Sequence, residues 1–132
     1  MYKMYEVIGL LNIVFYYGVP YLITNHWLVT ITFLQHTDWK IDRFQPSEWN
    51  WLRGAFSTID RDYGIFLNYA HHHIADSHVV HHLFSSMPHY NAIEATQYLK
   101  NSKFKKYYFE SKEAWYQSLW RIIGNGRWVK VD

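Results

Sequence analysis

From Val7 to Gln35 the chain runs without one Asp, Glu, Lys or Arg, as VIGLLNIVFYYGVPYLITNHWLVTITFLQ, and then turns polar. A helix needs about 20 mostly apolar residues to cross the hydrocarbon layer of a bilayer, so these 29 residues are long enough. Tyr, Trp and charged residues stand at both ends, as they do at membrane interfaces. Asn12, Asn25, His26 and several Thr interrupt the run, and Pro20, after Gly18, is expected to kink or break a helix. The pattern predicts one long kinked spanning helix or a short hairpin that dips in and returns. The alternative is the buried central helix of a soluble protein. A signal peptide fits poorly, since there is no basic leading region and no small-residue cleavage site. Lys3 and Glu6 on one side, against Asp38, Lys40, Asp42 and Arg43 on the other, leave the orientation open.

After a charged, aromatic loop to Pro46, Ser47 reads as an N-cap for a helix opening at Glu48. Trp49, Trp51, Leu52 and Phe56 make that helix amphipathic, suited either to the headgroup region or to an ordinary surface with its aromatic face in a core. Gly54 weakens it and Tyr63-Gly64 is expected to end it. A second helix is predicted from about Ala70 to Met87, stopped by Pro88. Asn91 with Glu94 reads as a capping box opening a third, through Ala95, Leu99 and Lys100. Residues 101–114 are polar and lysine-rich; Trp115 to Ile123 forms a short amphipathic helix, broken by Gly124-Asn125-Gly126. No strand alternation, repeat or linker stands out. The expected class is all-α: a membrane-embedded helix or helical hairpin over residues 7–35, then interfacial helices over residues 36–132, within one domain.

Composition narrows the chemistry. Nearly half of the 132 residues are apolar and a fifth aromatic, which excludes a disordered tail. Thirteen Lys and Arg against eleven Asp and Glu give no basic footprint for nucleic acid. Without Cys there is no disulfide framework, thiolate zinc site or cysteine nucleophile. The nine His carry the signal: His71, His72, His73, His78, His81, His82 and His89 fall within nineteen residues.

His78, His81 and His82 form H-x-x-H-H, which on a helix directs three imidazoles from one face into one volume. Protonated, they would repel one another; neutral and buried, they need partners for six ring nitrogens. A metal ion takes one nitrogen from each ring and resolves both difficulties. The alternative is a solvated histidine-rich face. No Glu lies within the cluster as a base, unlike H-E-x-x-H. His36, at the polar end of the apolar run, is the local candidate for a further ligand, or simply an interfacial residue. His71, His72 and His73 point about 100° apart, so at most one faces such a site. Asp76 and Ser77 are placed to hold the remote nitrogen of a ligand imidazole, and His89 to support the turn after Pro88.

The string DSHVVHHLFSSMPHYNAIEAT, from Asp76 to Thr96, closely resembles the third histidine box of plant- and fungal-type omega-6 membrane fatty acid desaturases. YGVPYLITN (Tyr17 to Asn25), Leu28-Val29 and LQHTD (Leu34 to Asp38) resemble that family's last membrane segment and its exit. SEWNWLRGA (Ser47 to Ala55) and TIDRDYG (Thr58 to Gly64) are similar to the stretch leading to the box, and Tyr107, Tyr108, Phe109, Trp115, Tyr116, Trp120 and Arg121 weakly echo its C-terminal tail. Ser85-Ser86-Met87 look more like the omega-6 than the omega-3 class.

The resemblance implies a multi-pass helical protein of the endoplasmic reticulum with a cytosolic metal site. Two irons would act on a fatty acyl lipid, converting oleate to linoleate, with electrons from cytochrome b5, or from ferredoxin in some relatives. It implies His78, His81 and His82 as catalytic metal ligands and His36, in Gln-His-Thr, as the extra ligand, with Asp76 behind them. Some relatives place an Asn one turn before that His, where this chain has Thr32. His72 matches a family histidine; His71 and His73 depart from it. The family's first two boxes, H-x-x-x-H and H-x-x-H-H, have no counterpart before His36, where His26 is the other histidine. The expectation is a fragment, inactive alone. Related hydroxylases, acetylenases and conjugases, or a noncatalytic membrane-associated metal-binding module, are the competing readings.

Overall fold

The computed structural model of the protein describes residues 2–125, so Gly126 of the expected terminal breaker lies outside the described residues. The apolar run folds as α1 (Tyr2–Ile13), a π-helical stretch (Val14–Gly18) and α2 (Val19–His36). Among the described residues, Tyr5–His36 is the one helix long and apolar enough to cross a membrane. Val7, Leu10, Leu11, Phe15, Leu22, Ile23, Leu28 and Val29 are all exposed, the reverse of the central helix of a soluble fold. The run is a kinked helix, not a hairpin, and its sharp break falls at Gly9 (φ 75°, ψ 162°), a conformation open to glycine. Pro20 does not break the helix. The N–H of Val19 reaches back five residues to the Val14 carbonyl, so the wider π stretch absorbs the proline just after it.

Ser47 does not cap a helix. Residues 46–48 form a turn, with Glu48 and Trp49 donating to the Gln45 carbonyl. Asn50 caps instead, its side chain accepting from the Arg53 N–H at 2.9 Å, and α3 runs Trp51–Phe56. Gly54 gives the Trp49 indole room to pack against the helix: a Cβ would stand 2.9 Å from its Nε1 and displace the ring. Tyr63-Gly64 do not end this helix; Gly64 (φ 86°) is the residue before α4 (Ile65–Ala70).

The continuous helix expected over 70–87 divides. After α4 come turns through residue 77, with His72 (φ 53°) and His73 (φ 60°) both left-handed, and then α5 (His78–Leu83). The Asn68 carbonyl accepts from the His73 N–H at 2.7 Å, and its side chain ties Asp62 to the Tyr63 N–H, which closes the chain into a loop before the helix can propagate. Helix α6 (His89–Lys100) starts at Pro88, ahead of the expected Asn91–Glu94 box. A 3-10 turn (Lys103–Tyr107) leads to the two-residue β2 (Glu110–Ser111), parallel to β1 (Asp60–Arg61), and α7 covers Trp115–Gly124. That single bridge leaves the fold all-α.

The chain divides into two compact units, Met1–Thr32 and Phe33–Asp132. The second buries Leu34, Ile41, Ile59, Ala75, Val79 and Val80 together with Gln35, Asp38, Thr58, Asp60, Arg61 and Ser118. So polar a core relies on hydrogen bonds, and those of Gln35, Thr58, Asp60 and Arg61 join the segments that carry the histidines.

Candidate metal centre

The last turn of α2 presents His36 and the first turns of α5 present His78 and His82. Their ligand nitrogens all lie within 4.8 Å of one another. Nε2 of His78 is 3.2 Å from Nε2 of His36 and 3.3 Å from Nε2 of His82. An ion about 2.0–2.1 Å from each imidazole nitrogen needs neighbouring nitrogens roughly 3.0–3.4 Å apart, so the pairs fit a shared ion. The remote nitrogen of His78 fits as well. Nδ1 of His78 bonds to the Ile74 carbonyl at 3.0 Å, and the Ser57 backbone bonds to the His36 ring. A carbonyl partner makes Nδ1 the protonated nitrogen and leaves Nε2 its lone pair. Burial, reinforced by the surrounding imidazoles, holds His78 down at about 3 and His82 at about 4. Both are therefore neutral near pH 7, the form that binds a cation.

His81 stands apart from this three-nitrogen cluster. On a helix, residues 78 and 82 lie about 40° apart and 78 and 81 about 60°, and the His81 ring centroid is 5.6 Å from that of His78 and 5.9 Å from that of His82. His81 instead lines a cavity of about 60 Å³ with His72 and His89, whose rings are 4.5 Å apart. The three rings of the box stay close to one another, and His36, His78 and His82 are the ones whose nitrogens converge.

Asp76 does not back a ligand of the cluster. Its carboxylate pairs with Nδ1 of His73 at 3.0 Å, and the Ser77 hydroxyl donates to the His73 carbonyl. The left-handed turn at 72–73 folds His73 back over Asp76, and the Ile74 carbonyl takes the place expected of the acid. His71 bonds to the Leu67 carbonyl of its own helix at 2.8 Å.

Sequence reasoning missed the ionic group beneath the ligands. Arg61, fully buried, donates from Nε to the Leu34 carbonyl (3.0 Å), from Nη1 to Ser118 (2.7 Å) and from Nη2 to Asp38 (2.5 Å). Arg121 adds a second bond to Asp38 at 2.8 Å and pairs with Glu113. Burial alone would raise the Asp38 carboxyl, but the hydrogen bonds from Arg121 and Arg61 outweigh it and hold it at about 2. Asp60 accepts from Val79 N (2.8 Å) and Tyr108 OH (2.7 Å), and burial raises its carboxyl to about 6 in spite of them. Charged residues on a two-residue strand leave no periodic trace; the TIDRDYG likeness was the one available signal.

The family model for fatty acid desaturase matches residues 4–115. The chain is 50% identical, over its whole length, to the omega-6 fatty acid desaturase of the endoplasmic reticulum, isozyme 1, of Glycine max, and 49% identical to the Delta(12)-fatty-acid desaturase of Arabidopsis thaliana. It is 50% identical, over 94% of its length, to the oleoyl-12-hydroxylase of Ricinus communis. It spans about a third of these relatives: 34% of the first two and 32% of the third. No solved structure gives a significant match. By the extent of the family match and these identities, the chain belongs to the fatty acid desaturase family.

Proposed function

We propose that this chain is the C-terminal, metal-holding part of a membrane acyl-lipid desaturase that introduces a cis double bond into a fatty acyl chain, converting oleate to linoleate. The observation that carries this reading is the convergence of three neutral imidazole Nε2 atoms, from His36 at the end of the membrane-length helix and from His78 and His82. When bound, two imidazole-held irons supply the activation of O2 that, with two electrons and two protons, removes two hydrogens from adjacent carbons and releases two waters.

In this reading His36, His78 and His82 hold one ion. His81, which lines a cavity with His72 and His89, serves the second ion together with histidines from the H-x-x-x-H and first H-x-x-H-H boxes elsewhere in the protein. Four imidazoles are too few to fill two iron coordination shells, so the chain alone would leave positions to water and form no double bonds. The 7–35 segment is the last membrane segment of a multi-pass protein of the endoplasmic reticulum, residues 36–132 its cytosolic face, and cytochrome b5 or ferredoxin the electron donor. Hydroxylation is the second reading, favoured by the hydroxylase relative being as similar as the desaturases.

The test is fatty-acid profiling in a host that supplies oleate and cytochrome b5. The chain joined to the upstream boxes should give a new diene, and the chain alone none. A 12-hydroxy product would establish the second reading. Diene from the chain alone would refute the ligand count.

A further inference from the structure

We propose that Asp60 and Arg61, adjacent on β1, are positioning residues that set the distance between the two helices bearing the histidine cluster. The inference rests on the metal reading above and adds how its geometry is fixed. The two ligand-bearing pieces are far apart in the chain: His36 ends α2, and His78 and His82 sit on the six-residue α5. So short a helix has little stability of its own, and Ser77 gives it no side-chain cap. Asp60 supplies the cap from eighteen residues upstream. Its carboxylate accepts from Val79 N at 2.8 Å and from the His78 main chain, satisfying N–H groups that a helix start leaves without partners.

Arg61, the next residue, holds the other side. Its Nε bonds to the Leu34 carbonyl in the last turn of α2, and its Nη2 to Asp38, two residues beyond His36. Its own N–H donates to the Ala75 carbonyl at 2.9 Å, and that carbonyl also accepts from Gln35 Nε2 at 2.7 Å. Thr58 closes the brace by donating to the Gln35 carbonyl. Asp60 and Arg61 are both almost wholly buried. Their side chains leave a strand on opposite faces, one to each ligand helix, so the 3.2 Å separation of His36 and His78 is fixed by this dipeptide. The guanidinium binds three acceptors in a fixed fork that a lysine cannot reproduce.

The experiment measures Co(II) binding by the full chain in detergent, by calorimetry and by the cobalt ligand-field spectrum. Asp60→Ala and Arg61→Lys should bind Co(II) about 10–100-fold more weakly, the range for residues that orient ligands, with an altered spectrum. Asp60→Asn, whose amide oxygen still accepts from Val79 N, should stay near wild type. Ile122→Ala, which hollows α7, should lower the melting temperature and leave affinity and spectrum unchanged. Wild-type affinity and spectrum in Asp60→Ala or Arg61→Lys would overturn the proposal. If Asp60→Ala does not fold, Asp60→Glu decides, because it keeps the charge and lengthens the reach to Val79: weaker binding supports the proposal and unchanged binding overturns it. Failure of the underlying metal reading is distinct, since His78→Ala would then bind Co(II) as wild type does.

Discussion

Two histidine triplets lie within twelve residues of each other and fare differently. His71, His72 and His73 scatter: one ring bonds back to its own helix, one lies against His89 and one pairs with Asp76. The nitrogens of His78 and His82 converge with that of His36, and His81, beside them, also lines a neighbouring cavity. The residue type is the same and the local density similar. What separates them is backbone: two left-handed residues in a turn on one side, a capped helical turn on the other. Metal-binding capacity follows from which nitrogens the backbone leaves free and converging, more than from the number of imidazoles.

The strongest test of that contrast is single-ligand removal. His78→Ala and His82→Ala should weaken Co(II) binding by the full chain more than about 100-fold, whereas His71→Ala and His73→Ala should stay within about twofold, read by calorimetry. Equal losses in both triplets would erase the distinction. His81 sharpens it further. In the chain joined to its upstream boxes, His81→Ala should abolish diene as completely as His82→Ala. In the chain alone it should change Co(II) affinity only about threefold, because its ring lies outside the three-nitrogen cluster.

Backbone substitution should give opposite signs in the two regions. His73→Gly removes a left-handed strain of about 1–2 kcal/mol and adds glycine's unfolded-state entropy, so stability should hold or rise by up to about 1 kcal/mol. Val79→Gly, at a fully buried position of α5, should lose about 3 kcal/mol through helix propensity and lost burial. Thermal melting in detergent reads both. The smallest effect is a slope with pH. The Asp38 carboxyl sits at about 2 when folded, below its ordinary 3.8. The stability it contributes is present above pH 4 and is lost as pH falls from about 4 through about 2. Arg121→Met should flatten that acid limb.

Much of this was legible in the sequence for identifiable reasons. The membrane-length helix needs only the absence of charge over 29 residues, and the approach of His78 to His82 needs only helical spacing. The family string from Asp76 to Thr96 led to the right family, which the match over residues 4–115 then established. What stayed hidden were long-range partnerships. Ser47 was the expected cap, but the turn at 46–48 gives that role to Asn50. The helix expected over 70–87 failed because Asn68 captures the His73 amide, a bond no periodicity encodes. Asp76 seemed the natural backing for a ligand, yet a backbone carbonyl, which every residue carries, does that work.

Arg61 also sets an order of assembly. The last residue of the histidine cluster is His82, but the guanidinium at position 61 finds one of its three acceptors, Ser118, on α7, and the Asp38 carboxylate it binds is also held by Arg121 of that helix. During synthesis the histidine cluster would emerge from the ribosome some thirty-five residues before Ser118, the last hydrogen-bond acceptor of the buried guanidinium. A premature stop between 83 and 117 would spare every ligand and still leave a desolvated arginine short of a partner. Nonsense and frameshift alleles in that tail should therefore behave as loss of the metal site, and pulse-labelled nascent chains should become protease-resistant only once residue 121 has cleared the exit tunnel.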